Sequence, residues 1–314
     1  MRSYVARRLL SLLPVLLGLS VIAFGLMALV PGDPAEIIAA PGKETEPTDE
    51  EILAVRRQLG LDRPWPLQYL AWLQRVLTGD LGRSLRSGEP VAQELVDRLP
   101  ATLELAAGGL AVGLLIALPV GILAAVRRGS LADHASRALA LLGASVPSFW
   151  LGALLILLFA VELGWLPAMG RGSRAHLLLP SLSLGVGASA ILTRLVRASL
   201  LEVLGQDYIR TAHAKGLPGR AVILGHALKP SLLPVVTVLG LQFGHLVGGA
   251  VIIETVFAWP GLGQFIIRSI LARDFPVIQG FALLMGLVFV CTNFAVDVVY
   301  RLLDPRIQYR GKAS

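Results

Sequence analysis

The chain has 314 residues, of which 55% are hydrophobic and only 16% are charged. A soluble domain usually carries about 25% charged residues, so this composition indicates a membrane protein and excludes an ordinary soluble domain. The net charge of +7 is explained better by cytoplasmic loops rich in Lys and Arg than by nucleic-acid binding, and no nucleic-acid partner is expected.

Six apolar segments are long enough to cross a membrane, which takes about 20 residues of helix. These predicted spans lie at residues 9–30, 103–126, 138–161, 177–196, 233–253 and 277–299. The first exceeds the roughly 7–15 apolar residues of a signal peptide, and Pro31-Gly-Asp-Pro follows it instead of a cleavage site. We therefore expect a retained helix there. The fourth span is the weakest, because it is rich in Ser and Gly.

Basic residues mark one side of this six-span arrangement. Arg and Lys precede the first span, follow the last, and occupy the loops between spans two and three and between spans four and five. With six spans all of these segments fall on the same side, and the positive-inside rule makes that side the cytoplasm. Both termini are therefore predicted to be cytoplasmic.

The predicted protein is all-α, with four regions. Residues 1–30 form the N-terminal tail and first span, 31–102 an extracytoplasmic helical loop, 103–304 a five-span core with a cytoplasmic loop at 200–234, and 305–314 a cytoplasmic tail.

The extracytoplasmic loop contains its own helix signals. Thr48-Asp-Glu-Glu is a capping box, and Gly60 ends the helix that follows it. Pro66 begins a second helix that ends near Gly79, and residues 91–99 form a third that leads into span two. We expect these helices to form a small cap over the outer mouth of the membrane domain.

The sequence carries no familiar catalytic motif. It has no phosphate-binding G-x-x-x-x-G-K-[ST] loop, no zinc-binding H-E-x-x-H and no G-x-S-x-G nucleophile. Its single cysteine, Cys291, lies in an apolar run and allows neither an intrachain disulfide nor a cysteine metal cluster. We therefore predict a non-catalytic protein without a metal site or cofactor.

Polar residues inside the predicted spans indicate function by default, because they are costly in lipid. In span five, Gln242 and His245 either line a pathway or bond a neighbouring helix. In span six, Asp297 either has such a role or pairs with Arg301 one turn later. These spacings alone leave both alternatives open.

A glycine stripe runs along span five, where Gly240, Gly244 and Gly248 repeat every four residues. Glycines at this spacing permit close backbone approach of another helix. That helix belongs either to the same chain or to a partner subunit beside a transport pathway.

The segment at residues 200–234, named here the basic hairpin, is amphipathic and too polar to span a membrane. A helix at about 207–215 is predicted to break at Gly216-Leu-Pro218, and a second helix at about 220–228 returns to the membrane. From spacing alone the hairpin is either a rigid lever that contacts a partner or a linker held at anionic lipid headgroups.

The basic hairpin resembles the conserved cytoplasmic loop of ABC importer permeases, E-A-A-x3-G-x9-I-x-L-P. Ala212, Gly216 and Leu228 match that pattern, while Arg210, Thr211, His226 and Lys229 replace its Glu, first Ala, Ile and Pro. The run Tyr208-Ile-Arg-Thr-Ala-His-Ala-Lys-Gly-Leu resembles the version found in the peptide and nickel permeases.

Other motifs in chain order support this resemblance over nearly the whole sequence. They are Pro31-Gly-Asp-Pro, Gly79-Asp-Leu-Gly with Ser84, Leu99-Pro-Ala-Thr-Leu-Glu-Leu, Val146-Pro-Ser-Phe-Trp, Glu254-Thr-Val-Phe-Ala-Trp-Pro-Gly-Leu-Gly, Asp274-Phe-Pro-Val-Ile-Gln and Asp304-Pro-Arg-Ile. The chain is similar to the first permease subunit of dipeptide, oligopeptide and nickel importers of the inner (plasma) membrane.

The resemblance implies a type I ABC importer permease fold in the lipid bilayer. It also implies a second homologous permease, two cytoplasmic ABC ATPases and an extracytoplasmic substrate-binding protein as partners. One ATPase would receive a coupling helix in the basic hairpin, with Ala212 and Gly216 permitting close approach because they lack bulk.

The resemblance assigns three groups of candidate site residues. The ATPase-coupling residues are Tyr208, Arg210, Thr211, Ala212, Lys215, Gly216, Leu217, Leu228 and Pro234. The pathway or permease-interface residues are Gly240, Gln242, Gly244, His245 and Gly248. The residues facing the binding protein are Gly79, Asp80, Gly82, Ser84, Trp259, Pro260 and Gly261.

Peptides are the expected cargo, and three other functions compete with peptide import. The same machinery could import nickel or a nickel chelate, with Met169 as a soft contact that is otherwise a packing residue. A stand-alone secondary transporter would need side chains that bind a coupling ion near the middle of the membrane, and Gln242 and His245 are weak candidates for that role. An intramembrane enzyme would need a nucleophile or metal site, and the sequence offers neither.

Overall fold

The computed structural model describes residues 2–29, 34–39, 47–58 and 60–303. The helices in these ranges are α1 (Arg2–Leu29), α2 (Pro34–Ala39), α3 (Asp49–Gln58), α4 (Trp65–Leu77), α5 (Val91–Val126), α6 (Leu131–Ser145), α7 (Ser148–Leu155), α8 (Arg174–Leu204), α9 (Asp207–Ala214), α10 (Gly219–Ala221), α11 (Leu228–Ser231), α12 (Leu233–Val256), α13 (Leu262–Leu271) and α14 (Phe275–Leu303). Two π-helical stretches, Ile156–Glu162 and Val222–Ala227, continue α7 and α10. Within the described ranges β-structure is limited to one isolated bridge, between Arg83 and Pro90, so the all-α prediction agrees with the structure.

Several predicted features fall outside the described residues. They are Pro31-Gly-Asp33, the tail from Asp304 onward, and the side chains of the suggested Asp297–Arg301 pair. Those predictions stay untested.

The chain divides into two compact units. The first contains residues 1–100 and 261–290, and the second contains residues 101–260 and 291–314. Helices α5 and α14 therefore each begin in the first unit and end in the second.

The predicted starts and ends of helices α3 and α4 in the first unit agree with the structure. The Thr48 amide donates to Glu51 Oε2 at 3.0 Å, and the Glu51 amide donates back to Thr48 Oγ1 at 3.3 Å, which is the expected capping box of α3. Helix α4 begins with Pro66 in its first turn. Gly60 and Gly79 adopt left-handed φ values of 68° and 85°, as helix-ending glycines do.

An aromatic cluster joins α1 to α4 in the first unit. The Phe24 ring packs 5.1 Å from Trp65, 5.6 Å from Tyr69 and 5.4 Å from Trp72, measured between ring centroids. The Tyr69 hydroxyl also lies 2.8 Å from Ser20 Oγ. Aromatic contacts of this kind hold α4 against α1.

Close helix contact between α5 and α8 forms the centre of the second unit. A Cβ atom added at Gly185 would lie 2.6 Å from Val112 Cβ and 2.7 Å from the Gly109 carbonyl oxygen. At Gly121 an added Cβ would lie 2.8 Å from Val196 Cβ. The small residues of predicted span four therefore serve close packing with α5.

Four helices are individually long and apolar enough to cross a membrane within the described residues. They are Val91–Val126, Arg174–Leu204, Leu233–Val256 and the Phe275–Val296 part of α14. They correspond to predicted spans two, four, five and six, and the predicted helix at residues 91–99 is continuous with span two.

The predicted third span is not one straight helix. Helices α6 and α7 are separated by a break at Val146-Pro147, and α6 meets the segment Ser148–Glu162 at a bend of 95°. The cause is local, because Pro147 removes an amide donor and forces Val146 into an extended conformation with ψ 123°. Counting this bent pair as one span gives five.

The first predicted span corresponds to α1, which starts at Arg2 and ends at Leu29. Its described apolar stretch, Leu12–Gly25, is shorter than a full membrane crossing. Six spans therefore stay a prediction.

Candidate functional site

The basic hairpin folds as two helical arms joined by a tight turn. Helix α9 ends at Ala214, and Gly216 takes the left-handed φ of 76° that a helix-terminating residue requires. The Gly216 amide donates to the His213 carbonyl at 2.9 Å. The returning arm is α10, the π-helical stretch and α11, so the predicted break at Gly216-Leu-Pro218 is confirmed.

A small hydrophobic core fixes the hairpin to the helices that precede it. The side chains of Ile209, Ala212 and Val222 are buried against Leu200 of α8 and Ala125 of α5. Because both arms share this core, the hairpin is a packed element of the second unit rather than a linker lying on a surface.

Burial separates the predicted coupling residues into two groups. Ala212 is only 5% exposed, so its small side chain serves packing inside this chain and not, as expected, the close approach of a partner. Leu228 is half-buried. The exposed residues are Tyr208, Arg210, Thr211, Lys215, Gly216, Leu217 and Pro234. The outer surface of α9 and its turn is thus basic and partly apolar.

A buried ion pair lies between α6 and α8, near the base of the hairpin. Asp133 is 1% exposed and accepts from Arg197 Nε at 2.7 Å and from a terminal guanidinium nitrogen of Arg197 at 2.8 Å. The Gly129 amide also donates to Asp133, at 3.0 Å. This bidentate pair joins the start of α6 to α8, and sequence reasoning missed it because the partners are 64 residues apart.

Helices α8 and α12 form an open groove of about 310 Å³ in the second unit. The groove is lined by Gly187, Ala188, Ile191, Gln242, His245 and Leu246. The sequence identified Gln242 and His245 by their polarity. The structure adds that both line the same groove, against α8. We name this feature the α8–α12 groove.

The glycine stripe of α12 has two different environments. Gly240 is buried, and a Cβ atom there would collide with Val296 of α14. Gly244 is half-buried. Gly248 is exposed, and no described atom lies within 4 Å of an added Cβ. Packing within the chain therefore explains Gly240, while Gly248 stays available to another molecule.

The Gly79–Ser84 loop is held by one buried acid in the first unit. Ser84 Oγ donates to Asp274 Oδ2 at 2.6 Å, and the Leu85 amide donates to Asp274 Oδ1 at 3.1 Å. Gly79, Asp80 and Gly82 remain at least partly exposed, whereas Ser84 is only 4% exposed. Ser84 therefore anchors the loop, and its neighbours form the accessible surface.

Trp259 is completely buried, which conflicts with its predicted direct contact with a binding protein. Its indole Nε1 donates to the Ala101 carbonyl oxygen at 2.8 Å. Nearby, the equally buried Glu254 accepts from Thr102 Oγ1 at 2.6 Å. Trp259 thus fixes the end of α12 to α5.

The two residues after Trp259 differ in accessibility. Pro260 is exposed and Gly261 is buried, so of the three residues Trp259, Pro260 and Gly261 only Pro260 is accessible to a partner.

Among the described residues, no three His, Cys, Asp or Glu side chains lie close enough together to hold a metal ion. Met169 is 60% exposed.

Two family models match the chain in succession. The model described as the N-terminal part of a binding-protein-dependent transport system membrane component matches residues 1–106. The model described as a binding-protein-dependent transport system inner membrane component matches residues 117–309.

Similar proteins have the same overall length. The glutathione transport system permease protein GsiC of Salmonella choleraesuis is 44% identical over 310 residues, which cover 99% of this chain and 100% of the relative. The protein of the same name from Escherichia coli has the same identity and coverage.

A solved structure shows a similar arrangement of helices. The MetNI methionine ABC transporter, in an inward-facing conformation, gives a TM-score of 0.57 at 25% identity, covering 67% of this chain and 96% of that one.

Proposed function

The chain belongs to the family of inner membrane components of binding-protein-dependent transport systems, and we propose that it forms half of the translocation pathway of an ATP-driven importer of small peptides. The observation that carries this proposal is 44% identity, over essentially the whole chain, to a glutathione transport system permease. Glutathione is a small peptide, so peptide cargo is the simplest extension to this chain.

We infer four protein partners. They are a second homologous permease, two cytoplasmic ABC ATPases and an extracytoplasmic binding protein. The family description supports the binding protein, because it names binding-protein-dependent transport. The ATPases would supply the hydrolysis, and this subunit would be non-catalytic.

The basic hairpin is the proposed contact with one ATPase. Its exposed surface carries Tyr208, Arg210, Lys215 and Leu217 around the turn. Because the hairpin core includes Leu200, a displacement of the surface would move α8 as well. Rigid-body transmission of this kind is the physical basis of alternating access.

The proposed topology has six spans and cytoplasmic termini. Four described helices and one bent pair qualify as spans, and α1 would supply the sixth. The Lys and Arg content of the loops supports the orientation. Residues 31–102 would then lie outside, where the exposed Gly79 and Asp80 and the partly exposed Gly82 would face the binding protein. The exposed Pro260 is proposed to face it as well.

Peptide import is favoured over the competing functions. A stand-alone secondary transporter does not fit a family defined by binding-protein-dependent transport. Nickel import receives no specific support from the described part of the chain, where metal-ligand side chains do not converge.

Gene-dependent uptake tests the proposal directly. Cells that carry the importer operon should accumulate labelled peptide only when this gene is present, and excess nickel should not compete. Gene-dependent uptake of radioactive nickel without peptide uptake would contradict the peptide assignment.

A substitution at Gly216 tests the hairpin assignment. No described atom lies within 4 Å of an added Cβ at Gly216, so this chain has room for a side chain there. Asp and Asn are the residues that best tolerate the left-handed conformation. Gly216→Asp should abolish transport while membrane insertion is intact, because a charge would enter the partner contact. Gly216→Asn is the uncharged control of matched size, and full transport by Gly216→Asp would refute the assignment.

A further inference from the structure

The α8–α12 groove contains two polar side chains without a partner in the described structure. Gln242 and His245 lie near the middle of α12, three residues apart and on the same face. Among the described residues neither side chain makes a hydrogen bond or ion pair. Because an unpaired polar group at the centre of a bilayer is costly, such groups face protein or water-filled cavities and not lipid.

The opposite wall of the groove has small side chains, which leave space. Gly187 and Ala188 of α8 face the two polar residues, and no described atom lies within 4 Å of a Cβ added at Gly187. Ile191 and Leu246 supply the apolar remainder. A volume of about 310 Å³ is at the lower end of the range for small-ligand sites, roughly 300–1,000 Å³.

The chemistry of the lining selects among ligands. The amide of Gln242 and the imidazole of His245 can both donate hydrogen bonds, and the six lining residues include no carboxylate. A carboxylate ligand would accept from both donors, whereas an ammonium group would find only uncharged acceptors and no acidic partner on this wall. The groove therefore suits an anionic group better than a cationic one.

We propose that Gln242 and His245 bind a carboxylate of the transported peptide as it passes the middle of the membrane. This inference rests on the proposed peptide-import function and adds a specificity site to it. The groove is open on one side, so the second permease would complete the site. Peptides with an additional acidic side chain would then be favoured over peptides with an additional basic one.

The test compares uptake of two labelled tripeptides, Ala-Glu-Ala and Ala-Lys-Ala, by the complete importer with its binding protein at saturation. The readout is the ratio of the Ala-Glu-Ala rate to the Ala-Lys-Ala rate in the same membranes. The amount of folded transporter cancels from this ratio, and the binding protein is the same throughout. A changed ratio therefore reports the permease.

His245→Glu should lower the ratio by about tenfold or more, because it replaces a donor by a like charge. Gln242→Leu should lower it by roughly tenfold or more, since one hydrogen bond to a charged group is lost. His245→Gln keeps a hydrogen-bond donor, so it should lower the ratio less than His245→Glu does. Thr255→Glu adds the same charge to an exposed position of α12 outside the groove and should leave the ratio unchanged.

Two results would overturn the inference in distinguishable ways. If wild type imports the peptides and both His245→Glu and Gln242→Leu keep the wild-type ratio, the carboxylate site is wrong while peptide import stands. If His245→Glu is inactive, the ratio in Gln242→Leu decides. If wild type imports none of the peptides, the proposed function fails and the inference falls with it.

Discussion

Replacing Gly185 by alanine should weaken the packing of α5 on α8. The new Cβ would lie 2.7 Å from the Gly109 carbonyl oxygen and 2.6 Å from Val112 Cβ, whereas ordinary contacts begin at 3.4 Å. The overlap with the oxygen is therefore about 0.7 Å, the difference between 3.4 Å and 2.7 Å. A backbone atom cannot rotate away as a side chain can, so the two helices must separate.

The magnitude follows from two opposing contributions. Overpacking a close contact costs about 1–3 kcal/mol, and a backbone clash belongs at the upper end of that range. Alanine recovers up to about 1 kcal/mol of helix propensity relative to glycine. We therefore expect Gly185→Ala to lower the free energy of unfolding by about 2 kcal/mol.

The assay is denaturant unfolding of the purified subunit in detergent, with Gly249→Ala as the matched control. Gly249 lies in α12, and no described atom comes within 4 Å of an added Cβ. The control should be neutral or stabilised by up to about 1 kcal/mol. If Gly185→Ala is as stable as wild type or as Gly249→Ala, then close backbone contact does not explain the glycines of α5 and α8.

Two further substitutions test buried contacts by the same unfolding assay. Arg197→Met should destabilise the chain more than Arg137→Met, because Arg197 makes two hydrogen bonds to Asp133, at 2.7 and 2.8 Å, whereas Arg137 lies 3.5 Å away; equal effects would contradict this ranking. Trp259→Phe keeps an aromatic ring but removes the indole N–H that donates to the Ala101 carbonyl oxygen, so a loss of about 1 kcal/mol is expected, and an unchanged stability would refute that role.

Features encoded by a few neighbouring residues could be predicted from the sequence. The capping box of Thr48 and Glu51 and the turn at Gly216 depend on interactions within a few positions. Hydropathy likewise predicted α8, α12 and α14, and five of their six ends lie within four residues of the predicted ones.

Features that depend on distant residues could not be predicted. Trp259 reads as a surface residue beside Pro260, and only its bond to Ala101, 158 positions away, shows that it is internal. The pairing of Asp133 with Arg197 is invisible for the same reason. The bend before Pro147 differs, because Pro restricts its preceding residue and this local signal was available in the sequence.

Helix α8 connects the two proposed sites without an intermediate element. Leu200 belongs to the hairpin core, and Ile191 lines the α8–α12 groove. Nine residues of helix separate them, which corresponds to about 13 Å at 1.5 Å per residue. Between these two positions, Arg197 holds α8 to α6 through the buried Asp133. A force applied at the hairpin would therefore reach the groove through one continuous helix, so we expect movement of the proposed ATPase contact to be transmitted to the α8 wall of the groove.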